Sequence, residues 1–205
     1  MLLANRICFN RNDKEILKDI SFSISPKKII HIAGKNGSGK TTLLKIICNI
    51  LDPNDGEIIW NGKNTKKNIY EFYKNVTFIM DNQTSSNSLT VNENIFFWHK
   101  IFNSKINKKE INSVLELLSL DKYKDTQINQ LSFGEIKKLE LLRLIIEQKK
   151  LWVLDEPFIG LDKSSVQLIT QTITNHANLN GMVIFTSHSR HEIPNLEIFN
   201  MENNA

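Results

Sequence analysis

Residues 34–41 read Gly-Lys-Asn-Gly-Ser-Gly-Lys-Thr, a run of the form G-x-x-x-x-G-K-[ST]. An apolar, β-branched run, Ile29-Ile30-His31-Ile32-Ala33, leads into it. A segment with Leu43, Leu44, Ile46 and Ile47 at helical spacing, Thr41 to Ile50, leads out. A loop that joins a strand to a helix N-terminus gives the motif its chemistry. The glycines let successive backbone N–H groups turn inward on phosphate oxygens, and the helix end adds the positive end of its dipole. Lys40 supplies a point charge for β- and γ-phosphates, and the Thr41 hydroxyl is a ligand for Mg²⁺. The candidate nucleotide-binding set is Gly34, Lys35, Asn36, Gly37, Ser38, Gly39, Lys40, Thr41 and Thr42.

A second group of chemical residues ends another apolar run. Leu151-Trp152-Val153-Leu154 has the continuous apolarity of a strand covered on both faces, and Asp155 and Glu156 follow it directly. A carboxylate at a strand tip can hold Mg²⁺, which falls to Asp155. The next carboxylate, Glu156, can orient or deprotonate an attacking water. Ser187 beside His188 does not make a hydrolase triad, because the chain has no G-x-S-x-G elbow.

These groups need elements to hold them. Short β-type runs occupy 1–32 and 56–60, and Asn61-Gly62 after Glu57-Ile58-Ile59-Trp60 signals a hairpin turn. Val76 to Met80 reads as a strand. The stretch from about 84 to 150 reads as helical, with a capping box at Thr90/Glu93 and another helix start at Asn107/Glu110. Ile111, Val114, Leu115 and Leu118 recur at helical spacing after the second start. A helix from about Lys163 to Asn175 and a last strand from Met182 to Thr186 complete the alternation. Strands alternating with helices predict an α/β fold with a parallel sheet and an inserted helical subdomain.

Composition agrees with a globular enzyme-sized chain. The 205 residues are 40% hydrophobic and 23% charged, with a formal net charge of +4. These values exclude collagen, coiled-coil and disordered classes. No apolar run reaches the ~20 residues of a membrane-spanning helix, and the first residues show no signal-peptide pattern. Cys8 and Cys48 match no metal spacing and fit a reduced, cytosolic setting. The lysines at 63, 66, 67, 74, 105, 108 and 109 read as a solvated face, with attraction to an anionic membrane surface as the second reading. No aromatics interleave with them, so no nucleic-acid partner is expected.

In this order the motifs resemble the nucleotide-binding subunit of an ATP-binding-cassette (ABC) transporter over residues 1–190. Leu131-Ser132-Phe133-Gly134-Glu135 stands where the family has its L-S-G-G-Q signature, Gln83 at its Q-loop glutamine, Gly160-Leu161-Asp162 at its D-loop and His188 at its switch histidine. The resemblance implies one cassette over residues 1–205: a P-loop NTPase with a RecA-like core, an antiparallel β subdomain and a helical subdomain at about 84–150. It implies ATP hydrolysis with Mg²⁺ held by Thr41, Gln83 and Asp155, and catalysis by Glu156 and His188. It also implies that Ser132, Phe133, Gly134 and Glu135 act in trans in a homodimer. Ser132 with Glu135 equally satisfies the capping-box rule. The signature departs from the family at Phe133, where glycine is usual, and at Glu135, where glutamine is usual. The family usually stacks adenine on an aromatic before the first strands; here the aromatic Phe9 and, equally, Arg11 are open for that place.

The phrases Asp55-Gly56-Glu57-Ile58-Ile59-Trp60, Ile128-Asn129-Gln130-Leu131-Ser132, Leu151-Trp152-Val153-Leu154-Asp155-Glu156-Pro157-Phe158 and Gly181-Met182-Val183-Ile184 with Thr186 and His188 are similar to those of the ATPase of the cytochrome c maturation haem exporter. That resemblance implies a peripheral subunit on the cytoplasmic face of the bacterial inner membrane, docked on polytopic membrane subunits through the region from Gln83 to about Gln130. Ile95, Phe96, Phe97 and Trp98 are the apolar candidates for that contact. The ATPase of another ABC exporter and a soluble, non-transport ABC ATPase remain the alternative readings.

Overall fold

The computed structural model describes residues 1–80, 83–189 and 191–204. It contains two sheets. The antiparallel sheet has the order β2-β1-β4-β5, with β1 Leu2–Arg11, β2 Lys14–Ile24, β4 Asp55–Trp60 and β5 Lys63–Asn64. The first hairpin turns through Asn12 and Asp13, both at positive φ (49° and 59°), and the second turns through Asn61 and Gly62 at 49° and 80°. Both pairs adopt the left-handed conformations that two-residue hairpins require, and Asn, Asp and Gly tolerate them best. The expected hairpin at Asn61-Gly62 therefore forms, pairing Trp60 with Lys63.

The second sheet runs β6-β7-β8-β3-β9, with β3 Ile29–Ala33, β6 Val76–Ile79, β7 Leu151–Leu154, β8 Met182–Thr186 and β9 Leu196–Asn200. The β7–β8, β8–β3 and β3–β9 pairings are parallel. Every residue of β7 and β8 is buried, which explains why their apolar runs are unbroken. The sequence reading ended the sheet at Thr186, and β9 corrects it. That strand is an edge whose Glu197 and Ile198 are exposed, so no continuous apolar run marks it. The helix after the P-loop, α1 Lys40–Ile47, lays Leu43, Leu44, Ile46 and Ile47 into the core beside Ile30, Ile32, Val153 and Ile184. A five-residue helix, α2 Ile69–Tyr73, was not anticipated and buries only Phe72.

The chain divides into two compact units. One comprises Met1–Phe78, Lys149–Glu156 and Ile173–Ala205. The other comprises Ile79–Gln148 and Pro157–Thr172. The second is helical, with α3 Val91–Ile101, α4 Lys108–Leu117, α5 Phe133–Glu147 and the first part of α6 Lys163–Asn178. The expected capping boxes open α3 and α4, with Thr90 and Asn107 accepting from the N–H groups of Glu93 and Glu110. In α3, Ile95 and Trp98 are core, whereas Phe96 and Phe97 are 64% and 53% exposed.

A buried polar cluster organises this unit. Glu140 accepts from the Thr84 N–H and hydroxyl and from the Ser85 N–H at 2.9, 2.5 and 2.7 Å. Arg143 donates to Glu147 at 2.6 Å and to the Thr84 hydroxyl oxygen at 2.7 Å. The charges are mutually paired and hydrogen-bonded, the condition under which burial is tolerated. The cluster fastens the segment after Gln83 to α5. The seven noted lysines are all exposed, as a solvated face requires.

Candidate functional site

The loop from Gly34 to Gly39 has no side-chain acceptor at the start of α1. Its N-cap is Gly39 at φ 90°, and no acidic residue lies in the first turn. The contrast with the other long helices is direct. Thr90, Asn107, Ser132 and Asp162 each accept a first-turn N–H of α3, α4, α5 and α6. The α1 end alone among these keeps its amide donors free of a protein carboxylate or hydroxyl, which suits an incoming anion. Gly39 must be glycine for a second reason: a Cβ there would lie 2.8 Å from Leu17 Cδ2. Gly37 has φ +80° and faces open space.

Lys40 is buried, and its ammonium donates to the carbonyls of Gly34 (2.8 Å) and Lys35 (3.0 Å). Three donors on the ammonium leave one for a phosphate oxygen. Ser38 Oγ is buried without a hydrogen-bond partner. This donor set fits a polyphosphate. The loop borders a hollow of ≈ 320 Å³, lined on one side by Asn36, Gly37, Gly39, Lys40, Thr41 and Thr42. Arg11, Ile16, Glu156 and His188 line the rest. Of the two residues left open for base stacking, Arg11 faces the hollow, and Phe9 packs on the core instead. A larger hollow of ≈ 520 Å³ beside Trp60 and Phe72 has no such donor set.

Asp155 is buried at the tip of β7, and its two oxygens are divided between two partners. Oδ2 accepts from the Thr41 hydroxyl at 2.8 Å, and Oδ1 accepts from the Thr186 hydroxyl at 2.7 Å. Thr41 and Asp155 thus bring two hard oxygen donors together, the chemistry Mg²⁺ selects. Thr186 in turn accepts the Glu156 N–H at 3.0 Å. That bond holds Glu156 at φ 47°, an unusual conformation for a residue with a Cβ and one that concentrates at functional sites. Glu156 Oε1 is buried without a hydrogen bond, 3.2 Å from His188 Nε2 in non-hydrogen-bonding geometry. The sequence reading assigned Thr186 no role in the site. It is one more β-branched residue in a buried strand until the fold sets it beside Asp155.

The remaining motif residues lie in the helical unit. Gln83 is exposed, and its amide donates to Ser85 O (2.8 Å) and Asn87 Oδ1 (2.7 Å). Ser132 and Glu135 form the capping box of α5, with the Ser132 N–H and hydroxyl both donating to Glu135 Oε2 at 2.8 Å. Partial burial raises the Glu135 pKa. Hydrogen bonds from Tyr123 and Ser132 and the Lys122 charge outweigh it, and the net direction is down, so Glu135 is a cap carboxylate. Phe133 is exposed and lies on Gly160, where a Cβ would meet its ring at 2.6 Å. Gly134 presses on the Gly160 carbonyl, 2.6 Å from where a Cβ would sit. Lys138 donates to Asp162 at 2.9 Å. Hydrogen bonds from Ser164, Lys138 and Ser165 hold the Asp162 carboxyl well below the usual carboxylate range.

The fold and the loop geometry define a P-loop cassette, and residues 17–159 match the family described as ABC transporter. The chain belongs to that family. It is 32% identical over 188 residues to the "Cytochrome c biogenesis ATP-binding export protein CcmA" of Vibrio vulnificus (strain YJ016), covering 92% of each chain. The protein of the same name from Mannheimia succiniciproducens is 34% identical over 193 residues, with 94% of this chain and 89% of that one covered. Among solved structures, an ABC transporter ATP-binding protein from Pyrococcus furiosus superposes with a TM-score of 0.85 at 25% identity, covering 100% of this chain and 98% of the other.

Proposed function

We propose that this chain is the ATP-hydrolysing subunit of an ABC exporter that energises haem export or handling for c-type cytochrome biogenesis. The observation that carries the ATPase part is the uncapped start of α1 joined to Lys40, with Thr41 and Asp155 sharing a hydrogen bond beside it. The names of the relatives support the cytochrome c part. In this reading Lys40 and the amides of residues 34–42 bind the phosphates. Thr41 and Asp155, with Gln83, hold Mg²⁺, which when bound neutralises phosphate charge.

Glu156 acts on the attacking water, and His188, 3.2 Å from that carboxylate in the same hollow, acts with it at the chemical step. Ser132 to Glu135 serve the ATP of a second copy in a two-fold, head-to-tail pair. No helix among the described residues is long and apolar enough to cross a membrane. In this reading the chain docks on polytopic subunits at the cytoplasmic face of the inner membrane, which the export-protein names of the relatives support. Phe96 and Phe97, exposed on α3, are suited to that contact.

The test is Glu156→Gln. Nucleotide binding should persist while hydrolysis falls by roughly 10²–10⁴-fold, as for a lost general base. The variant should pair with Mg·ATP and stay single with Mg·ADP in sedimentation. Unchanged hydrolysis overturns the role of Glu156. A single chain under both conditions, with membrane subunits present, overturns the paired site.

A further inference from the structure

Directly behind His188 lies an arrangement that the ATPase reading does not use. Ser187, between β8 and His188, is buried and is gripped by two imidazoles. His31 Nε2 lies 2.9 Å from the Ser187 carbonyl oxygen. A carbonyl only accepts, so the His31 Nε2 carries the proton and donates. His31 is itself 6% exposed and stacks flat on Phe185, ring centroids 4.9 Å apart at an interplanar angle of 1°. On the other side, the Ser187 hydroxyl lies 2.9 Å from His191 Nε2 and accepts the Ser189 N–H at 3.2 Å. The Ser187 hydroxyl thus bridges the Ser189 N–H and His191, whose ring also meets Phe185 edge-on at 6.4 Å. Burial and then the His31 charge hold His191 below the usual histidine range.

The placement matters because of where His31 sits. It lies on β3, three residues before Gly34, and in the β3–β8 register it stands opposite Phe185. The strand that delivers the phosphate loop is thereby bonded to the first residue past β8, and His188 is the next residue. A buried donor that spends its proton on a loop carbonyl is costly unless that bond is kept, so the loop has one position in which His31 is satisfied.

We propose that His31, seconded by His191, is a positioning residue for hydrolysis, clamping Ser187 so that His188 is held beside Glu156. The inference rests on the ATPase reading given above. It predicts that His31→Phe, which keeps the stack on Phe185 and removes the donor, lowers kcat for ATP by about ten- to a hundredfold with KM changed less than about twofold. His31→Gln, which can still donate to the carbonyl, should recover most of the rate. In a His188→Ala background the His31→Phe change should cost nothing more.

The measurement is steady-state hydrolysis of Mg·ATP by the wild type and the four variants, the double variant included, with imidazole ¹H–¹⁵N NMR of the full chain. The wild type should show a protected His31 Nε2 proton, and His31→Phe should move the His188 ring resonances toward free histidine. An equal loss from His31→Phe with and without His188 overturns the proposal, because the effect is then general destabilisation. Unmoved His188 resonances in His31→Phe overturn it independently of any hydrolysis. If His188→Ala hydrolyses at the wild-type rate while His31→Phe still shifts the His188 ring, the clamp stands as geometry and the role assigned to His188 falls.

Discussion

Thr186 is the residue through which the buried carboxylates communicate, and Thr186→Val isolates its hydroxyl. Valine has the same shape and suits the strand, so packing at this fully buried position is preserved. Two interactions vanish: the 2.7 Å donation to Asp155 Oδ1 and the acceptance of the Glu156 N–H at 3.0 Å. A hydrogen bond to a charged group contributes ~1.5–3 kcal/mol, and a buried N–H left without a partner costs ~1–3 kcal/mol. The two overlap partly, so the net loss is about 3 kcal/mol. For a domain of this size each kcal/mol moves Tm by ~2–4 °C, giving a drop of about 6–12 °C in thermal unfolding without nucleotide. Thr186→Ser retains both bonds and loses one methyl group, which costs only about 1 kcal/mol. Glu156, released from its tether at φ 47°, should also lose at least about tenfold in hydrolysis. A Thr186→Val chain as stable as Thr186→Ser would refute the reasoning, since it would mean that the hydroxyl carries neither carboxylate geometry nor stability.

Lys40→Ala removes the charge that the Gly34 and Lys35 carbonyls orient, and nucleotide affinity measured by calorimetry should fall by about 2–5 kcal/mol; an unchanged affinity contradicts the phosphate assignment. His176 stacks on Trp152 at 3.6 Å, and burial pulls its pKa down from 6.5 to about 4 against the opposing bond to the Lys150 carbonyl. The unfolded chain therefore takes the proton first: stability is full above about pH 6.5 and is lost by about 2 kcal/mol as the pH falls toward 4, a slope that His176→Phe should remove in urea unfolding at several pH values. Gly181→Ala would place a Cβ 2.2 Å from His176 Nε2, whose ring cannot retreat from Trp152, so a loss of about 1–3 kcal/mol in the same assay is expected.

What could be read from the residues alone was what neighbouring residues decide. The phosphate loop is legible because its glycines, Lys40 and Thr41 are contiguous and its flanking strand and helix announce themselves by local periodicity. The caps at Thr90/Glu93, Asn107/Glu110 and Ser132/Glu135 are i,i+3 chemistry, and all three form. β7 and β8 fall at the residues expected because strands buried on both faces must be apolar throughout. Tertiary structure alone decided the partnerships across the chain. Asp155 is divided between Thr41, 114 residues away, and Thr186, 31 residues away, and His31 reaches Ser187 across 156 residues. Such bonds follow from strand order in a parallel sheet, which crossover connections set and no local pattern records. The same reason hides β9, an exposed edge whose pairing with β3 is a property of β3's free side, and it hides why Gly160 must make room for Phe133.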